Sequence, residues 1–333
     1  MEALRHVQHL SINLQGKPYR PSLDSHFEGL TILLHPSSQP EVDIIALTEI
    51  GGHAFRSWEY VDGTAMFLRD TLPYGNSGAR IMTFGYDPSP PRDGETKLDW
   101  LEVAQRLLEV LIASRGKEDM LCTAAQERAE AERSLYLSCY GLFFFGVPHR
   151  GFNTETLRDL CPGEEGRKMM HDLSLGSTLM KMFQDAFRYD FRHPDSVIIS
   201  AYETMGTKTF VETEDGHWEQ TSPPALMVPQ YSATDALPTE NRYDHIPLAA
   251  DNEHLIKFSN GYNSTDPGIV RARIGNLVQE APEVIRKRFS VLEKERNLQL
   301  QINMYTTYDS TSPLESHSKN LDVIPDFLPI PTL

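Results

Sequence analysis

Short apolar runs recur along the 333-residue chain, each closed by a turn signal. They occupy 29–35 (GLTILLH), 41–47 (EVDIIAL), 79–86 (ARIMTFGY), 140–147 (YGLFFFGV) and 195–202 (DSVIISAY). A weaker sixth lies at 225–232 (ALMVPQYS), where Pro229 points to an edge or irregular strand. Continuous runs of this length fit strands buried on both faces of a parallel sheet. Between them the period becomes helical. Residues 98–113 place Leu101, Val103, Leu107, Leu108 and Leu111 at helical spacing, and 123–137 is charged and alanine-rich. Stretches 165–189, 270–278 and 282–302 read as further helices. The alternation predicts an α/β fold with a mostly parallel sheet flanked by helices.

One stretch breaks the pattern. Two helices follow each other between the runs at 79–86 and 140–147, and their link, 114–122, is polar. A doubly wound sheet places a strand there, because each right-handed crossover carries one helix. The expected organisation is an N-terminal extension over 1–28, an α/β domain over 29–280, an exit helix over 281–302 and a flexible Ser-, Thr- and Pro-rich tail over 303–333.

A formal net charge of −16 argues against nucleic acid as a partner and against anionic membrane surfaces. No apolar run approaches the ~20 residues of a membrane span. Three cysteines, Cys122, Cys139 and Cys161, form neither a disulfide framework nor a CxxC pair. The N-terminal stretch lacks a secretory pattern, so a soluble, intracellular, cytoplasmic chain is expected. The 12 histidines are scattered without an HExxH, and no GxxxxGK[ST] occurs. No metal, cofactor or ATPase site is expected.

Four stretches carry candidate chemistry. In VDIIALTEIGGHAFRSW, Gly51, Gly52 and His53 follow a strand, where backbone N–H groups can hold an oxyanion; a plain tight turn fits as well. In FFFGVPHRG, His149 and Arg150 leave the sheet at its carboxyl end, where open α/β folds bind ligands, or else they hold the loop by hydrogen bonds. In IISAYETMGT, Glu203 follows a strand, a place for a carboxylate that orients a histidine. In IPLAADNEHLIKF, His254 is a candidate general base beside Asp251 and Glu253; it also reads as a surface histidine at a helix start, capped by Asp251 or Asn252.

Taken together, and with Trp58, LRDTLP at 68–73 and the run ARIMTFGYD, these stretches resemble the lipase-like α/β-hydrolases related to GPI-inositol deacylases and serine-active-site-containing proteins. In fungi that domain often leads receptor-like proteins with nucleotide-binding (NACHT) and ankyrin-type repeat domains. The resemblance covers about 29–278. It implies ester hydrolysis by a Ser, His and acid triad, with the serine on a GxSxG elbow between strand and helix. Glu203 matches the acid. The matching base position is Asn252, with His254 two residues later. Where the family carries His-Gly ahead of the glycine pair, this chain has Thr48 and Glu49, and a carboxylate there repels an oxyanion.

No GxSxG occurs, and Gly75-Asn76-Ser77-Gly78 has the wrong spacing. The elbow belongs between Met120 and Ala125. The expected function is therefore a degenerate or incomplete serine hydrolase, inactive in this form and serving as an interaction or signalling module. Its ligand would be a lipid or ester, or its partner a protein. The alternative is a spliced or mis-assembled form of an active carboxylic-ester or lipid hydrolase, with the C-terminus also shortened. Loss of a central strand strips pairing from two neighbours. Poor folding is expected, or a rearrangement in which the strands at 41–47 and 140–147 meet directly.

Overall fold

The computed structural model describes residues 12–14, 17–19, 27–49, 52–86, 100–115, 125–154, 163–208, 210–213, 218–220, 224–238, 240–258 and 267–309. Ten strands are present among them: β1 (Ile12–Leu14), β2 (Lys17–Tyr19), β3 (Gly29–Leu34), β4 (Val42–Leu47), β5 (Ala79–Gly85), β6 (Gly141–Phe145), β7 (Val197–Glu203), β8 (Phe210–Glu212), β9 (Trp218–Gln220) and β10 (His245–Leu248). The helices are α1 (Trp100–Arg115), α2 (Ala125–Leu137), α3 (Glu164–Leu173), α4 (Thr178–Asp190), α5 (Gln230–Ala233) and α6 (Pro267–Asp309). The chain divides into two compact units, residues 1–286 and 287–333. In the second, α6 exposes Val291, Leu298 and Ile302.

The first unit is α/β. Two three-stranded sheets carry it, in the orders β3-β5-β4 and β10-β7-β6. β4 and β5 run parallel, as do β6 and β7, and β7 and β10; β3 is antiparallel to β5. The middle strands, β5 and β7, are buried along most of their length, as their unbroken apolar runs require. α1 packs on β3 and α2, and α5 packs on β7.

β4 and β6 are the surprise. Their sequences, VDIIAL and GLFFF, are as apolar as those of the middle strands. Yet only Ala46 in β4 is fully buried, and no residue of β6 is. Each is the edge of its sheet, and the two do not pair. The expected direct meeting of these strands does not occur. One apolar core still joins the halves: Ala46 and Ile81 from the first sheet cluster with Ile199, Ala201 and Leu248 from the second, through Trp58, Phe67 and Phe258. The rings of Trp58 and Phe145 meet edge-on at 6.1 Å.

Local chemistry corrects four further expectations. The stretch 225–232 is no strand. Ala225 makes an isolated bridge with Thr207, then Pro229 caps α5, while Met227 and Val228 are buried beside Phe152 and Tyr202. The stretch 165–189 is two helices, α3 and α4. Gly176 takes φ +74° between them, and the Ser177 hydroxyl accepts the Met180 N–H at 3.2 Å as the N-cap of α4. The stretches 270–278 and 282–302 are one helix. Pro282 removes a helix hydrogen bond at a cost of about 3 kcal/mol, and burial of Val270 and Ala281 with packing of Ile274 and Leu277 offsets it. That helix runs to Asp309, past the expected start of the loose tail. Strand β10 is an addition: its four residues are too short to stand out as an apolar run.

Candidate functional site

A cleft of about 2150 Å³ runs between the two sheets, and every residue of β4 and β6 lines it. Its apolar wall includes Ile44, Ala46, Phe143, Phe145, Leu255 and Leu277. None of the described candidates Gly52, His53, His149, Arg150, Glu203 and His254 is itself in that lining; their neighbours Glu49, Pro148, Thr207 and Asn252 are.

The loop after β4 is closed on itself. The Gly52 N–H donates to the Glu49 carbonyl at 2.9 Å. The Ser57 hydroxyl donates to Glu49 Oε1 at 3.0 Å, and the His53 N–H donates to Ser57 Oγ at 2.9 Å. The His53 Nδ1 accepts the N–H groups of Phe55 and Arg56 at 3.1 and 3.2 Å. A nitrogen that accepts two amides carries no proton, so His53 holds the turn at 56–58 rather than offering Nδ1–H to a ligand. The Tyr86 hydroxyl donates to the carbonyl of Thr48 at 3.0 Å, and burial pushes its phenol pKa up. The Gly52 amide is thus already spent, beside a carboxylate. Gly51 lies outside the described residues.

The loop after β6 turns at Gly146, which has φ +57°; a Cβ there would meet Leu255 Cδ1 at 2.6 Å. Main-chain groups hold the residues beyond the turn. The His149 N–H donates to the Ser232 carbonyl at 2.9 Å, and the Arg150 N–H donates to Ser232 Oγ at 3.1 Å. The side chain of His149 does not share this task. Its ring packs edge-on against Phe144 at 4.8 Å, and its buried Nε2 has no hydrogen-bond partner among the described residues. Burial, with the charges of Arg188 and Arg150, pulls its pKa down to about 4. His149 is therefore neutral at pH 7.

Glu203 closes β7 and is only 2% exposed. Its Oε1 accepts the Val228 N–H at 2.5 Å, and its Oε2 accepts the Thr207 hydroxyl at 3.4 Å. Thr207 Oγ1 in turn accepts the Asn252 N–H at 3.1 Å. Burial pushes the Glu203 carboxyl above its ordinary range, and the amide and hydroxyl donors pull against it. Thr207 and Val228 carried no signal in the sequence, because donors from separate loops converge only in the fold.

His254 is not among the partners of Glu203. Its Nδ1 lies 2.6 Å from Asp251 Oδ1, and its N–H donates to the same oxygen at 3.0 Å. Asp251 thus caps the short 3-10 turn Asn252–His254, as the helix-start reading expects. The Glu203 carboxylate reaches the main-chain N–H of Asn252 through Thr207, and an asparagine side chain cannot act as a base. Among the described residues, no group of three or more His, Cys, Asp or Glu could hold a metal ion. No helix of the described residues is long and apolar enough to cross a membrane. Compared with known proteins, the chain matches no family model, no curated protein and no solved structure.

Proposed function

We propose that this chain is an incomplete serine-hydrolase domain of lipase- and esterase-like type, inactive toward esters in this form and acting as an interaction or signalling module. The observation that carries this reading is the break between β4 and β6. Two runs suited to burial on both faces end as half-exposed edges around one cleft. A strand ending in a nucleophile elbow belongs at that place in a hydrolase sheet. The remaining parts support the same reading. The acid position, Glu203, is kept and pre-ordered, while the base position is Asn252 and the Gly52 amide is occupied.

The test is to incubate the purified 333-residue protein with p-nitrophenyl butyrate and, separately, with a fluorophosphonate probe. Expected are a hydrolysis rate equal to buffer and no labelled serine. A labelled serine overturns the reading. A second reading, an active carboxylic-ester or lipid hydrolase in a longer gene product, is favoured by the clean fall of the break between α1 and α2. A transcript that inserts a strand and GxSxG between Met120 and Ala125 would establish it.

A further inference from the structure

We propose that the cleft between β4 and β6 binds an extended, uncharged, apolar polypeptide segment as an added strand. This inference rests on the incomplete-hydrolase reading and names the partner of its cleft. Both long walls are sheet edges: β4 ends one sheet and β6 ends the other. A sheet edge presents a row of unpaired N–H and C=O groups, and an extended backbone pairs with such a row. A lipid chain offers neither donor nor acceptor. It would bury those groups unpaired, which opposes its binding.

The side chains select the composition. Charged groups in the lining balance in sign, Glu41, Asp43, Glu49 and Glu253 against Arg80, Lys208, Lys257 and Arg286; Arg80 holds Asp43 at 2.7 Å, and Lys257 lies 3.7 Å from Glu253. A neutral, apolar occupant complements that wall.

Two of the chain's own segments outside the described residues are poor candidates by sequence. Between α1 and α2 lie nine residues, GKEDMLCTA, with three consecutive charges and an apolar run, Met120 to Cys122, shorter than the five residues of β6. The C-terminal stretch LDVIPDFLPIPTL carries Pro325, Pro329 and Pro331, and proline removes the ladder donor a central strand needs. The occupant is a segment of another polypeptide, whose backbone supplies the donors and acceptors that both edges lack.

The experiment supplies the strand at high local concentration and then free. Residues 116–124 are replaced by Ser-Val-Thr-Val-Ile-Val-Thr-Ser flanked by Gly-Ser linkers, and a control insert carries Pro in place of each Thr. Hydrogen exchange is followed at β4 and β6. Expected is exchange slowed about tenfold or more by the Val-Thr insert alone. Equal exchange in the two inserts overturns the proposal. The unaltered chain is then titrated with the same octapeptide, with its N-methylated analogue and with palmitate. Binding of the octapeptide but not of the analogue supports backbone pairing. Equal binding of both peptides, or binding of palmitate alone, overturns it. Ester hydrolysis by the unaltered chain would sink the incomplete-hydrolase reading while leaving these exchange and binding results as they stand.

Discussion

Asp251 Oδ1 receives both the main-chain N–H and the Nδ1 side of His254, at 3.0 and 2.6 Å. One carboxylate oxygen thus holds the histidine in a local turn and away from Glu203. Asp251→Ala should cost about 0.5–2 kcal/mol, the usual worth of a helix cap. His254→Ala should cost less, since 41% of that side chain is exposed. Urea midpoints of the two variants decide the matter, and the reverse order would show that the imidazole has a role beyond this cap.

Glu203 should give the protein an acid-favoured term. Its folded carboxyl is raised by burial, so the stability its protonated form contributes is full below the ordinary carboxylate value and is lost as pH rises through the raised one. Relative to Glu203→Gln, the unaltered protein should therefore weaken from acid toward neutral pH. A constant difference across that window would refute this. Glu203→Ala should cost about 1–3 kcal/mol in acid, where the Val228 amide loses its acceptor, and less toward neutral pH.

His149 should act in the opposite sense. Its pKa falls from 6.5 to about 4 on folding, so its contribution is full above 6.5 and is lost as pH falls toward 4. That gap corresponds to about 3 kcal/mol at most. His149→Leu should flatten the acid limb of a thermal-midpoint profile and leave the midpoint at pH 7 equal or higher, since Nε2 has no partner among the described residues to lose. An unchanged acid limb would contradict this.

Arg80 and Asp43 are register partners across the parallel β4–β5 ladder and meet through two bonds of 2.7 and 2.8 Å. Their side chains are only 13% and 10% exposed. Breaking the pair with Asp43→Val alone should cost about 3–5 kcal/mol. Replacing both residues by Val should recover most of that loss. A double-mutant cycle in urea measures the coupling, and additive losses would show that the pair contributes little.

Much of this arrangement is legible in the residues. Five apolar runs become strands because each is bounded by its own Gly, Pro or Asp turn, as β5 is by Gly85-Tyr86-Asp87. The break after α1 shows because GKEDMLCTA cannot be read as a buried strand. Side-chain networks are not legible. Nothing local announces that Thr207 bridges Glu203 and Asn252, because Asn252 lies 45 residues beyond Thr207 in sequence. Helix ends mislead where one residue outweighs its context. Pro282 reads as a stop, yet the apolar face around it carries the helix through.

Finally, the two sheets share a core but no ladder between β4 and β6. Their junction is held chiefly by apolar contact, with one main-chain bond from the Val61 N–H to the Phe258 carbonyl among the described residues, while each sheet is held by hydrogen bonds. Apolar attraction weakens on cooling. Chilling should therefore loosen the seam before it loosens either sheet, so cold becomes the condition under which this protein opens along a line drawn by its own topology.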